Sequence, residues 1–153
     1  MKKLTVLLMI LMSVATTHAQ FALKGGISYS RNELSNYLIT GQFHRELLVA
    51  SIDLMIPMER PEDIAISGRM GIGTNGDRFR LATDIGAIYK MGNWRVGYSI
   101  EGYIRLYGPI GMFARWARTY PICQRYGRNE IGWGCRQSEI SIGIVIELDG
   151  DCY

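Results

Sequence analysis

Residues that carry chemistry are scarce in this chain: two His and three Cys among 153 residues. His18 falls in the leading segment, which leaves His44 alone in the body of the chain. A histidine base works with a nucleophile and an orienting acid in hydrogen-bond reach. Ser51 and Asp53 lie too far along the same strand, at about 3.3 Å per residue. No triad can be read, and an exposed or interfacial His44 is expected. Cys123, Cys135 and Cys152 form neither a CxxC pair nor the Cys/His spacing of a zinc site. Gly71-Ile72-Gly73 and Gly76 lead into a strand at Phe79 rather than a helix, which argues against a phosphate-cradling loop. No cofactor, no metal and no enzymatic activity are therefore expected.

Excess charge of one sign is also missing. The 17 Lys+Arg and 14 Asp+Glu nearly balance, which gives no reason to expect a nucleic-acid partner. Lysine occurs only as Lys2, Lys3, Lys24 and Lys90, and every other basic residue is Arg. Solvated surfaces carry Lys freely, so an Arg bias points to cations held in paired, partly buried geometry.

Absent too is any apolar run of the roughly 20 residues that a spanning helix needs. The nearest, Leu4 to Ala15, follows Met1-Lys2-Lys3 and precedes the small residues Thr17-His18-Ala19, ahead of Gln20. This is the layout of a secretory signal peptide. Residues 1–19 are expected to be removed, leaving 20–153 as one domain of 134 residues with 15 basic and 14 acidic side chains. Export favours a disulfide. Cys123 with Cys135 is the expected loop staple, and the pairings with Cys152 stay open.

What fills the rest of the chain is period-two alternation, the signature of strands. Phe21, Leu23, Gly25, Ile27 and Tyr29 share one face against Ala22, Lys24, Gly26, Ser28 and Ser30. After a polar stretch, Arg31 to Asn36, one long strand is expected within Tyr37 to Ile56, bounded by Pro57 and Pro61. Further strands cover Ile64–Ile72, Phe79–Tyr89, Trp94–Leu106 and Ile140–Leu148, with Asn75-Gly76 and Met91-Gly92-Asn93 as turns. Between Gly111 and Tyr120 the phase is blurred by Phe113, Arg115 and Trp116, and Pro121 to Gln137 reads as one more strand or a stapled loop. The count is seven clear strands and one weaker one, all β.

Alternation does not say which face is inside. The polar face is rich in Gly and Ser, with Gly26, Gly71, Gly86, Gly97, Gly143, Ser28, Ser67, Ser99 and Ser141. Gly weakens a strand facing water, but it suits a barrel interior that is only just wide enough for side chains. Lys24, Asp53, Arg69, Arg80, Asp84, Arg95, Glu101, Arg105, Glu139 and Glu147 lie on the same face with both signs nearly balanced. Salt bridges between these acids and bases are a better reading of Glu101, Glu139 and Glu147 than a pair of catalytic carboxylates. Tyr89 and Trp94 flank one hairpin in the apolar phase, as aromatics do at a membrane interface. The expected fold is a single antiparallel up-and-down barrel of about eight strands, apolar side to lipid and charged side to the lumen. The alternative is a soluble periplasmic or secreted β-barrel that binds a small ligand or a partner protein.

The Ala19-Gln20 junction, the opening strand FALKGGISYS (Phe21 to Ser30) and the alternation through Leu148 resemble the small outer-membrane β-barrel proteins of Gram-negative bacteria, in the broad porin-like group. The resemblance implies outer-membrane lipid as the surrounding partner and a non-enzymatic role, structural or in surface interaction through loops such as Cys123–Cys135. Tyr153 ends the chain on an aromatic, as such families often do, although Asp149-Gly150-Asp151 interrupts the alternation before it.

Overall fold

The computed structural model describes residues 20–30, 33–74, 76–90, 92–125, 128–131 and 136–148, and for residues 33, 123–125 and 128–130 the backbone alone. The expected signal peptide, the loop at Met91, Trp133 and the cysteines Cys135 and Cys152 lie outside them. The described residues form nine strands: β1 (Gln20–Ser30), β2 (Glu33–Arg45), β3 (Leu48–Pro57), β4 (Ala65–Gly73), β5 (Phe79–Lys90), β6 (Asn93–Tyr107), β7 (Ile110–Arg125), β8 (Arg128–Ile131) and β9 (Gln137–Leu148).

All pairings are antiparallel. Strands β1 to β7 are joined in order, β7 pairs with β9, and β9 pairs with β1. Eight strands thus close into a barrel with no free edge, which satisfies the backbone of every rung internally. The ninth, β8, stands outside the ring. It pairs only with the end of β7, from Ile122↔Ile131 to Arg125↔Arg128.

The chain reverses at two ends. The near end holds the start of β1, the close of β9, the turns at 46–47 and 108–109, and the close of β4 with the start of β5. There Gly73 N donates to Leu47 O, Arg105 N to Arg78 O and Glu147 N to Pro109 O, each at 2.8 Å, so each turn is tied to the strand beside it. The far end holds the close of β1 and start of β2, residues 58–64, the close of β5 and start of β6, and the paired ends of β7 and β8.

Three expectations need correction. The single strand within Tyr37 to Ile56 is a hairpin, β2 and β3, which reverses at Glu46-Leu47. Glu46 takes a left-handed backbone with φ of 52°, a turn made without the Gly or Asn that usually announces one. The polar stretch Arg31 to Asn36 is mostly strand, because β2 starts at Glu33 and Asn36 sits opposite Ser28. The weak strand from Gly111 is the longest of all, 16 residues, and takes in Pro121 to Arg125. Pro121 stands at its last rung with β6, where a missing N–H breaks no further ladder.

The face question is decided by exposure. Ile85 is 72% exposed, Ile52 68%, Met70 67% and Ile144 57%, although they lie in the middle of their strands. Lys24, Asp53, Ser67, Ser99 and Ser141 are 1% exposed each. Polarity is inverted relative to a soluble barrel. The buried apolar residues Leu38, Met55, Ala65, Phe113 and Val145 are interleaved with the charges of the lumen rather than forming a separate dry core.

Candidate functional site

The interior is built by the residues that alternate inward. Following the register across the wall, Lys24 lies opposite Thr40, Thr40 opposite Asp53, and Asp53 opposite Ser67. Adjacent strands thereby present a polar row at mid-height. Asp53 is its centre. Thr40 Oγ1 donates to it at 2.7 Å, Ser67 Oγ at 2.6 Å, and the guanidinium groups of Arg69 and Arg115 at 2.6 and 3.2 Å. A buried carboxylate is stable only when paired and hydrogen-bonded, and Asp53 has both kinds of partner. Arg69 also reaches Ser99 Oγ at 2.9 Å and lies 3.6 Å from Asp84, to which Ser99 donates at 2.7 Å.

Toward the near end, Lys24 forms a buried ion pair with Glu101, and its ammonium sits 5.3 Å from the centre of the Phe113 ring. Gln42 Nε2 donates to the same Glu101 at 3.4 Å. Next comes Glu147, held by Arg80 at 2.7 Å and by Arg105. Arg80 is fixed further by donation to Gly76 O at 3.0 Å and by the Tyr103 ring at 5.6 Å. Toward the far end, Arg95 Nε donates to Thr119 Oγ1 at 3.2 Å. Glu139 lines a small space there beside Arg115 and Asp53.

The ten residues read from sequence as lumen charges all sit on inward-facing strand positions, and eight of them form ion pairs: Lys24, Asp53, Arg69, Arg80, Asp84, Glu101, Arg105 and Glu147. Sequence reasoning missed Arg115. It is 3% exposed and completes the Asp53 cluster. The signal was the period of β7: counted from Ile110, Met112 and Ala114 point out and Phe113 and Arg115 in. Two bulky aromatics on opposite faces, Phe113 and Trp116, hid it. Of the expected Cys123–Cys135 staple, Cys135 lies outside the described residues.

The charges leave almost no free volume. The space on the near side of the Asp53 layer is about 30 Å³ and that on the far side about 20 Å³. Each is the room of about one water molecule. The inward glycines are part of this crowding. A Cβ on Gly26 would stand 2.4 Å from Ile142 O, and one on Gly143 2.1 Å from Gly25 O, whereas outward Gly25 and Gly68 meet nothing within 4 Å.

His44 is a further correction. It is not exposed but 8% accessible, in the near-end lumen, and its Nε2 lacks a hydrogen-bond partner among the described residues. Across the hairpin it faces Val49, while Ser51 faces Gln42. Among the described residues no Ser–His hydrogen bond forms, and no group of three or more His, Cys, Asp or Glu could hold a metal.

On the outside, Tyr29, Tyr37, Tyr89 and Trp94 stand exposed toward the far end, with Tyr89 and Trp94 in contact at 5.0 Å between ring centres. Phe21, Phe43 and Phe79 occupy the near end.

No family model matches the chain, and no curated protein matches it. Among solved structures, a designed transmembrane β-barrel superposes with a TM-score of 0.62 at 9% identity, over 84% of this chain and 95% of the other. Neisserial surface protein A gives a TM-score of 0.47 at 10% identity, over 84% and 94% of the two chains. At 9% identity the first likeness bears on the fold alone: a closed barrel of eight antiparallel strands.

Proposed function

We propose that the chain is a small, non-enzymatic barrel of the outer membrane, with a lumen filled by its own ion pairs and a structural or surface-interaction role. The carrying observation is the inverted polarity. A ring of exposed Ile, Leu, Met and aromatic side chains surrounds a buried Asp53–Arg69–Arg115 cluster. In water that wall would be a large aggregating surface, and in lipid it is the favourable one. Strands of 9 to 16 residues reach the roughly 9–11 that a tilted crossing requires. Residues 1–19 serve as the export signal and 20–153 as the barrel. The far-end segments, including the stretch from Cys123 to Cys135, offer the surface for protein partners, with those two cysteines as the staple.

Fractionation of cells expressing the full chain tests this reading. The protein should pellet with membranes, require detergent for release, and migrate faster on a gel before boiling than after. Release by osmotic shock alone, in a form soluble without detergent, would overturn it.

A further inference from the structure

The outer wall is almost without charge. Among the described side chains that point outward from the eight barrel strands, only Arg45 at the near end of β2 and Arg118 on β7 are charged. Arg118 pairs in register with Tyr98 of β6 on one side and Ser138 of β9 on the other. Its guanidinium lies 5.1 Å from the centre of the Trp116 ring, and its Nε donates to Ser138 Oγ at 3.4 Å. Trp116 in turn meets Tyr98 edge-on at 5.7 Å.

One aromatic ring, braced by Tyr98, and a hydroxyl therefore hold this cation, and none of them is an anion. Arg69, Arg80, Arg105 and Arg115 in the lumen each face a carboxylate, but no carboxylate comes within ion-pair distance of Arg118 among the described residues. The residue stands toward the same end as exposed Tyr29, Tyr37, Tyr89 and Trp94. Such Tyr and Trp belts mark the headgroup level of a bilayer. At that level the available counter-charge is a phosphate, and the planar guanidinium matches phosphate oxygens through parallel N–H donors.

We propose that Arg118, framed by Trp116, Tyr98 and Ser138, is a binding site for the phosphate of an anionic lipid headgroup at the far-end rim. The proposal rests on the membrane-spanning reading above. The aromatic frame orients the guanidinium while its remaining N–H groups face the lipid.

Trp116 supplies the probe. With Trp94→Phe and Trp133→Phe it is the only tryptophan left. This protein is placed in phosphatidylcholine vesicles containing a minority of phosphatidylglycerol, with bromine on the acyl chains of one lipid or the other. Quenching by brominated phosphatidylglycerol is expected to exceed its share of the bilayer on the order of fivefold, the effect of one basic residue near an anionic lipid surface. Arg118→Gln should reduce quenching to that share, and Arg118→Lys, which keeps the charge without the fork, should retain part of the excess. Excess inorganic phosphate should leave the preference intact. Its loss on that addition would assign the site to a soluble anion and overturn the lipid assignment. Quenching in simple proportion to composition, or a preference unchanged in Arg118→Gln, also overturns the proposal. Absence of quenching by either brominated lipid would instead remove the membrane reading itself.

Discussion

Asp53 shows what one residue carries. Two hydroxyls and two guanidinium groups converge on its carboxylate, from β2, β4 and β7. Asp53→Ala would leave Arg69 and Arg115 buried without their common anion. Stripping one partner from a buried pair costs about 3–5 kcal/mol, and urea unfolding in phospholipid vesicles should register that loss. An unchanged midpoint would mean that water or Asp84 takes over the role. The glycines offer a second test at this scale. Gly26→Ala drives a Cβ into the backbone of β9, at 2.4 Å from Ile142 O, while Gly68→Ala enters open space on the outer wall. The first variant should fail to reach the folded, fast-migrating gel form and the second should reach it normally. The logic was legible beforehand, because Gly and Ser crowd the same phase as the charges. The partners were not, since which base meets which acid depends on barrel stagger and side-chain reach, and neither leaves a local trace in sequence.

At the scale of the element, the strands were readable and two of their boundaries were not. Alternation through Trp94 to Leu106 or Ile140 to Leu148 is strict because each inward position meets a crowded lumen and each outward one an apolar surround. One slip of register would exchange the two faces. The β2–β3 reversal escaped notice because Glu46-Leu47 has no turn chemistry and the alternation runs almost unbroken through it. The turn is held instead by pairing on both sides, from Arg45↔Leu48 back to Asn36↔Pro57. Glu46 has the only positive φ among the described non-glycine residues. A left-handed backbone costs an ordinary L residue about 1–2 kcal/mol, while Gly adds entropy to the unfolded chain. Glu46→Gly should therefore stabilise the barrel modestly, by roughly 0.5 kcal/mol net. Equilibrium unfolding in vesicles measures this directly, and a destabilised variant would show that the Glu46 side chain makes a contact worth more than the strain. In β7 the difficulty was different. Its period is regular, but aromatic bulk stands on both faces, Phe113 inside and Trp116 outside, so hydrophobicity alone could not set the phase.

For the whole molecule, closure and filling act together. A ring of eight strands leaves no unpaired edge, so the barrel can sit in a medium that offers no hydrogen bonds. The same ring is narrow, and its interior holds Lys24, Asp53, Arg69, Glu101, Arg115 and Glu147 at 1–8% side-chain exposure for the pairs they form. The ion pairs are stacked along the axis rather than gathered at one mouth. Arg80 and Arg105 on Glu147 come first from the near end, then Lys24 with Glu101, then Asp53 with its two arginines. The spaces on either side of the Asp53 layer, about 30 and 20 Å³, each have room for about a single water. An ion crossing this stack would have to shed its hydration and displace at least one buried pair, at a cost of several kcal/mol per ion. Single-channel recording of the purified barrel in a planar bilayer should therefore show no steady open level above leak at neutral pH and moderate salt. A persistent ohmic conductance from each inserted molecule would mean that the charged layer parts on the recording timescale, and the filled-lumen account would have to be abandoned even with the barrel itself intact.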